Sequence, residues 1–282
     1  PHYEEGEGVR ARKWICYPYL VWMALFIIVP LILVVGYACA GTVDGKTVFT
    51  LEHFARFLQP IYLKVAGRSV LLALICTAIC LVLGYPIAYI LASREYSSRR
   101  ILLFLFIMPM WMNFLLRTYS WLSILETNGI LNNFFALIGL GRQKLLYTHG
   151  AVILGMVYNF VPFMILPIHS CLKKMDYKLV EAAQDLGCDT ANVFRRVILP
   201  LSIPGVVSGL TMVFMPAVTT FVISTLLGGG QFMLIGNLIE QQFLTVGNWA
   251  FGSAVSVIMM LIILLSMFVM SRVDKEETGG VM

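Results

Sequence analysis

Of 282 residues, 59% are apolar and only 12% carry a full charge, against a globular norm of about 45 to 50% and about 25%. That much apolar surface exceeds what one soluble core buries, so an ordinary water-soluble domain is excluded and lipid is the expected solvent. The net charge of +5, from 20 basic and 15 acidic residues scattered along the chain, excludes a nucleic-acid binder as well.

A hydrocarbon layer about 30 Å thick requires ~20 helical residues. Six stretches meet this: Tyr17 to Ala40, Val70 to Ala92, Ile101 to Leu125, Ala151 to Leu172, Ser202 to Leu227 and Trp249 to Met270. Arg10, Arg12 and Lys13 before the first stretch, with Ala38-Cys39-Ala40 at its end, imitate a secretory signal. Its apolar run is longer than the about 7 to 15 residues of such a signal, so an uncleaved first membrane helix is expected. Ile130 to Leu140 and Phe232 to Leu244 are too short and polar to cross, and are expected as interfacial or re-entrant pieces. With the N-terminus inside, the inner segments hold 13 lysines and arginines and the outer segments six, which places both termini in the cytoplasm.

Five of these spans contain proline: Pro30, Pro86, Pro109, Pro162, Pro167 and Pro216. Each frees a backbone carbonyl that a neighbour or water must satisfy, which suits a protein with an internal cavity. Gly205 and Gly209 form a G-x-x-x-G, a pattern of close helix approach. Cys76 and Cys80, four residues apart on a presumed membrane helix, are read as packing residues, since no zinc or disulfide spacing emerges from the six cysteines. The run Gly228 to Gly230 is expected to give its loop freedom in φ. No G-x-x-x-x-G-K-[ST] is present, so energy from ATP has to come from another polypeptide.

The longest inner loop, Lys173 to Leu201, reads as helix, glycine, helix. Asp176 can cap a first helix carrying Leu179, Ala182, Ala183 and Leu186 on one side, and Gly187 sits where a left-handed cap belongs. Asp189 or Thr190 can cap a second helix bearing Phe194, Val197 and Ile198, with Pro200 as its expected stop before the next membrane entry. The first helix pairs a small, methyl-rich surface with the carboxylates Glu181 and Asp185, a face able to enter a groove on a partner. A solvated connector would have the same composition.

The spacing Glu181-Ala182-Ala183, three residues, Gly187, nine residues, then Val197-Ile198-Leu199-Pro200 resembles the EAA loop of ABC importer permeases. Gly84-Tyr85-Pro86-Ile87-Ala88-Tyr89, the run Pro109 to Tyr119, Asn128 to Asn133 and Leu234-Ile235-Gly236-Asn237 resemble the spermidine/putrescine permease subunits of that class. The resemblance implies an all-α polytopic membrane protein of the bacterial cell membrane, six transmembrane helices of the type I ABC importer transmembrane domain. The expected division is a tail at 1–16, a first helix and outer loop at 17–64, the permease domain at 65–271 with its coupling loop at 173–201, and a tail at 272–282. Glu181, Ala182, Ala183, Asp185 and Gly187 are then the ATPase-coupling residues. The implied partners are a second permease subunit, two ATPase subunits carrying ATP and Mg, and an extracytoplasmic polyamine-binding protein. No cofactor is expected on this chain. Met110, Met112 and the acidic Glu4, Glu5 and Glu7 depart from the family pattern.

A polycation needs carboxylates, carbonyls or aromatic faces on its route. Candidates are Glu126 and Glu240 near an outer entrance, Trp111 and Asn113 in the third span, and Tyr158 and Asn159 in the fourth. Packing or ordinary loop positions would account for any of these equally. Arg117 lies sixteen residues, about 24 Å, beyond Ile101 and is expected to snorkel to the outer interface. An ABC permease for another small solute and an ion-coupled secondary transporter or channel are the competing readings, although the latter calls for inverted repeats or buried acids that are not evident.

Overall fold

The computed structural model describes residues 17–43, 46–93 and 100–278. The basic cluster Arg10, Arg12, Lys13, the acidic Glu4, Glu5, Glu7, Cys16 and the inner-loop Arg94 and Arg99 lie outside them. Five helices here are long and apolar enough to cross a bilayer, and one bent pair of helices supplies a sixth candidate. Two compact units are present, one of residues up to Pro60 with Ile239–Leu261, the other of Ile61–Leu238 with Ile262–Met282.

In the first unit, helix α1 (Tyr17–Ala38) exposes almost all of its apolar side chains, as a lipid-solvated helix does. A short antiparallel hairpin follows, β1 (Ala40–Val43) against β2 (Lys46–Phe49), in the register Ala40↔Phe49. Thr50 N–H donates to the Cys39 carbonyl at 2.9 Å and closes its open end. Helix α2 (Glu52–Phe57) completes the segment, and a ring nitrogen of His53 lies 3.1 Å from the Ala40 carbonyl.

The second unit opens with α3 (Pro60–Ala92), which starts at Pro60 rather than Val70 because proline is pre-set for a first helical turn. The third span is not the continuous helix expected from Ile101 to Leu125. Helix α4 (Arg100–Ile107) tightens into a 3₁₀ turn at Met108–Trp111, Met112 is extended (φ −74°, ψ 148°), and α5 (Phe114–Leu125) leaves at a new angle. The two arms of this pair are bent by 91°. Pro109 and the capping Asn113 cause the break: one cannot donate within a helix and the other satisfies a new helix start. Helix α6 (Ile130–Leu137) follows as a short piece, as expected.

Helix α7 (His149–Lys174) is the most buried span and organises its neighbours. In lipid, helices gain little from hydrophobic expulsion, so close packing holds them together. Glycine provides it on two sides, from α9 and from α3. A Cβ at Gly205 would lie 3.0 Å from the Pro167 carbonyl, one at Gly209 3.2 Å from the Met164 carbonyl, and one at Gly84 3.0 Å from Met164 Cγ. Cys76 and Cys80 are fully buried with their sulfurs 4.0 Å apart, and the Cys80 thiol points at the Val157 carbonyl of α7.

Helix α8 (Lys178–Asp185) precedes α9, which runs unbroken from Thr190 to Thr219 rather than from Ser202 to Leu227. Pro200 therefore does not stop a loop helix. The chain passes it through a π turn at Phe194–Ile198, in which Leu199 N–H reaches back to the Phe194 carbonyl. The wider turn takes up the crowding that a proline ring imposes on the residues before it. Helix α1 repeats the device, with a π turn at Ala24–Ile28 ahead of Pro30 and Val29 N–H donating to Ala24. Beyond a break at Thr220 come α10 (Val222–Gly228), α11 (Ile235–Gln241) and a π turn at Gln242–Val246, and then α12 (Trp249–Thr278).

Candidate functional site

The loop between α7 and α9 folds as its sequence dictates. Asp176 Oδ1 accepts the Lys178 N–H at 3.0 Å and Asp189 Oδ1 accepts the Asn192 N–H at 3.3 Å, so each helix has its acidic cap. Gly187 takes φ +86°, with its N–H on the Gln184 carbonyl at 2.9 Å, while Cys188 N–H closes on Ala183 at 3.1 Å. Val180 is 3% exposed and anchors α8 inward, whereas Leu179 and Leu186 are 49% and 86% exposed. Ala182, Glu181 and Asp185 are exposed and Ala183 is half-buried. The outer side of α8 is thus a short apolar row with small residues at its middle and carboxylates beside it, a surface shaped for a cleft on another protein.

Three aromatic residues tie the start of α9 to α3, a meeting that no local sequence pattern encodes. Phe194, in the π turn, stands edge-on to Tyr85 (5.9 Å) and Tyr89 (5.6 Å) of α3. The Tyr85 hydroxyl is 2.9 Å from Ser202 Oγ on α9, and Ser202 donates to the Leu199 carbonyl. The start of α9 is thus joined to α3 by packed rings and one hydrogen bond. Behind α8 lies a cavity of about 370 Å³, bordered by Tyr89, Leu172, Tyr177, Val180, Val193 and Ile198.

The residues expected on a substrate route are not gathered in one place. Trp111 ends the 3₁₀ turn, is 76% exposed, and packs edge-to-face only on Phe104 of its own segment. Asn113 is the cap of α5, its Oδ1 accepting the N–H groups of Leu115 (2.8 Å) and Leu116 (3.3 Å), so its carbonyl oxygen serves the fold. Glu126 is exposed where α5 ends, and its backbone carbonyl holds Asn132 Nδ2 at 3.0 Å. Tyr158 meets Trp121 edge-on at 5.4 Å, joining α7 to α5. Glu240 is half-buried on α11, in the other compact unit.

Asn159 is 2% exposed, so it faces protein as a polar membrane residue must. Its Nδ2 donates to Gly155 at 2.8 Å, and its Oδ1 is buried without a partner. Arg117 does not snorkel. It is 7% exposed, with Nε and Nη1 buried and unpaired among the described residues. The bend at Met112 and Asn113 redirects α5, so a distance counted along a straight helix from Ile101 does not apply. Unmet buried donors cost roughly 1 to 3 kcal/mol each. Arg117→Met is accordingly expected to match or exceed the wild type in thermal stability. A clear loss of Tm in detergent would show that the guanidinium has a stabilising partner.

The remaining family-like segment proves structural. Asn237 accepts from Ser224 Oγ (2.6 Å) and Leu234 N–H (3.2 Å), and donates to the Phe221 carbonyl (3.0 Å) and Thr225 Oγ1 (2.8 Å). Ser69 Oγ of α3 accepts the Ile235 N–H at 2.7 Å. This knot satisfies the backbone freed where α9 breaks at Thr220. Gly229 and Gly230 use the freedom in φ expected of this run (+59° and +71°); Gly229 lies against the Tyr147 ring with no room for a Cβ, and Tyr147 N–H donates to Leu227 at 3.0 Å.

Comparison with known proteins places this architecture. Residues 84–278 match the family described as binding-protein-dependent transport system inner membrane component. The spermidine/putrescine transport system permease protein PotB of Escherichia coli (strain K12) is 40% identical over 259 residues, covering 90% of this chain and 94% of that protein. PotB of Haemophilus influenzae is 39% identical over 260 residues, covering 90% and 91%. In fold, the chain is similar to one from the crystal structure of a bacterial ABC transporter involved in the import of the acidic polysaccharide alginate, with TM-score 0.73 at 19% identity over 95% of this chain and 99% of that one. The capped, outward-facing helix before the last spans, the glycine-packed bundle and these matches together establish that the chain belongs to the family of binding-protein-dependent transport system inner membrane components, the permease subunits of ABC importers.

Proposed function

We propose that this chain is a permease subunit of an ATP-driven importer of polyamines, spermidine and putrescine being the candidate substrates. The observation that carries the substrate class is the 40% identity to a spermidine/putrescine permease over nine-tenths of both chains. A second permease subunit completes the pathway. Two ATPase subunits hold the ATP and Mg and dock at the cytoplasmic loops of the two permease subunits, one of them on α8 of this chain through Leu179, Ala182, Ala183 and Leu186, with Glu181 and Asp185 alongside. A polyamine-binding protein delivers substrate from outside. Both termini lie in the cytoplasm, a reading supported by the excess of basic residues in the inner segments.

Alternating access follows from differential binding. If closed ATPases hold α8 better in one arrangement than in the other, they shift the equilibrium between them. The Tyr85, Tyr89 and Phe194 cluster passes that shift to α3 and α9. Glu126 and Glu240 serve as acceptors for ammonium groups near the outer ends of their helices, and Trp111, Tyr158 and Asn159 serve deeper positions. The assembled importer in proteoliposomes is expected to accumulate radiolabelled spermidine and putrescine only with ATP and the binding protein present. Uptake that survives ATP depletion and collapses with an ion gradient would mark a secondary transporter instead.

A further inference from the structure

One cavity lies wholly within the first compact unit and is used by nothing described so far. It is an open hollow of about 510 Å³ bordered by Tyr37, Gly41, Gly247, Asn248 and Trp249, a size within the roughly 300 to 1,000 Å³ of small-molecule sites. Its walls are two aromatic rings from distant parts of the sequence. Trp249 and Tyr37 have centroids 6.4 Å apart at 46°, and Trp249 is braced on its other side by Phe243, edge-on at 5.4 Å and 76°. Despite that bracing, Trp249 is 58% and Tyr37 50% exposed, so ring faces remain open.

The backbone fixes this arrangement. Gly247 turns the chain in the left-handed region (φ +69°), Trp249 N–H donates to its carbonyl at 3.2 Å, and Asn248 caps α12 by accepting the Phe251 N–H at 3.0 Å. Gly252 lets Phe243 close in: a Cβ there would lie 3.2 Å from Phe243 Cε2. Gly41 and Gly247 add no side chains, so the floor is peptide. None of the bordering residues is charged. The stretch Gly228 to Asn248 holds no lysine or arginine, and it carries Glu240. The same unit already seats one cation on an aromatic face, the Arg56 guanidinium lying 4.6 Å from the Phe251 centroid.

We propose that the cavity between Tyr37 and Trp249 binds the ammonium and methylene segment of an alkylammonium substrate, by cation–π attraction to the Trp249 face and apolar contact with Tyr37. This deepens the polyamine reading and rests on it. Interfacial aromatic residues also anchor helices to lipid headgroups, but an anchor needs no concavity, and these rings border an open one together with Gly41 and Gly247.

The test uses the assembled importer in nanodiscs, with 5-fluorotryptophan introduced at position 249 alone. Spermidine is expected to move the ¹⁹F resonance saturably, and sodium chloride of equal ionic strength to leave it in place. In uptake assays, Trp249→Leu is expected to raise the half-saturating spermidine concentration about twofold to fivefold, with Trp249→Phe between it and the wild type. A resonance that spermidine does not move, or that salt moves equally, overturns the site even where wild-type uptake is normal. Absence of ATP-driven polyamine uptake by the wild type would instead strike the substrate reading, while the resonance still reports on the cavity.

Discussion

Gly187→Pro is expected to abolish uptake while the protein still accumulates in the membrane. At φ +86° this position lies far from the about −65° that a proline ring enforces. The substitution also deletes the N–H that bonds Gln184 at 2.9 Å and drives Leu186 out of helical geometry. The cap of α8 is lost, and with it the angle at which Leu179, Ala182 and Leu186 are presented. No membrane span contains the residue, so insertion is spared. Gly187→Ala is the graded control. Open space surrounds a Cβ there, so only left-handed strain of roughly 1 to 2 kcal/mol applies, and uptake should fall partially. Membrane quantity by immunoblot, measured beside uptake, separates coupling from folding; normal transport by the proline variant would remove α8 from the coupling role.

Gly205→Leu is expected to eliminate the folded protein. A first added carbon would stand 2.6 Å from Cys171 Cβ, 3.0 Å from the Pro167 carbonyl and 3.1 Å from Ile168 Cα. Two of those three atoms are backbone inside a helix, so α7 and α9 must separate along the seam that holds the bundle. Overpacking typically costs about 1 to 3 kcal/mol, and a leucine wedged against main chain belongs at the upper end or beyond, enough to expose a membrane protein to proteolysis. Gly209→Ala should be milder, since its nearest neighbour is the mobile Met164 sulfur at 2.7 Å. Gly67→Ala should be silent, because nothing lies within 4 Å. Melting temperatures that rank the three variants in any other order would refute the seam.

Why some of this could be read from residues alone, and some not, follows from what each signal encodes. Span number was legible because lipid imposes a minimum apolar length, and the helix, glycine, helix order of the loop after α7 because Asp176, Gly187 and Asp189 are local signals whose partners lie within a few residues. The bend in the third span hid inside an unbroken apolar run, although Pro109 and Asn113 both marked it. The hairpin of β1 and β2 is not legible because each strand is only four residues long, too short for an alternating pattern to stand out. The meeting of Phe194 with Tyr85 and Tyr89 spans more than a hundred residues, and no local pattern encodes it. Arg117 was misjudged for a related reason: depth was counted along a helix that turns 91° before reaching it.

The wide turn at Phe194–Ile198 bears on how substitutions across the loop and the fifth span should be interpreted. A π turn accommodates one residue more than regular helix would, and each residue advances the helix by about 100°. Positions before Phe194 and after Ile198 are therefore out of phase, and a wheel projected through both assigns one set to the wrong side. Removing a single residue from this stretch would let the turn return to regular winding while the segments on either side keep their facing, so a one-residue deletion here is expected to be tolerated better than one elsewhere in α9, where the whole helix beyond it would rotate by roughly 100°.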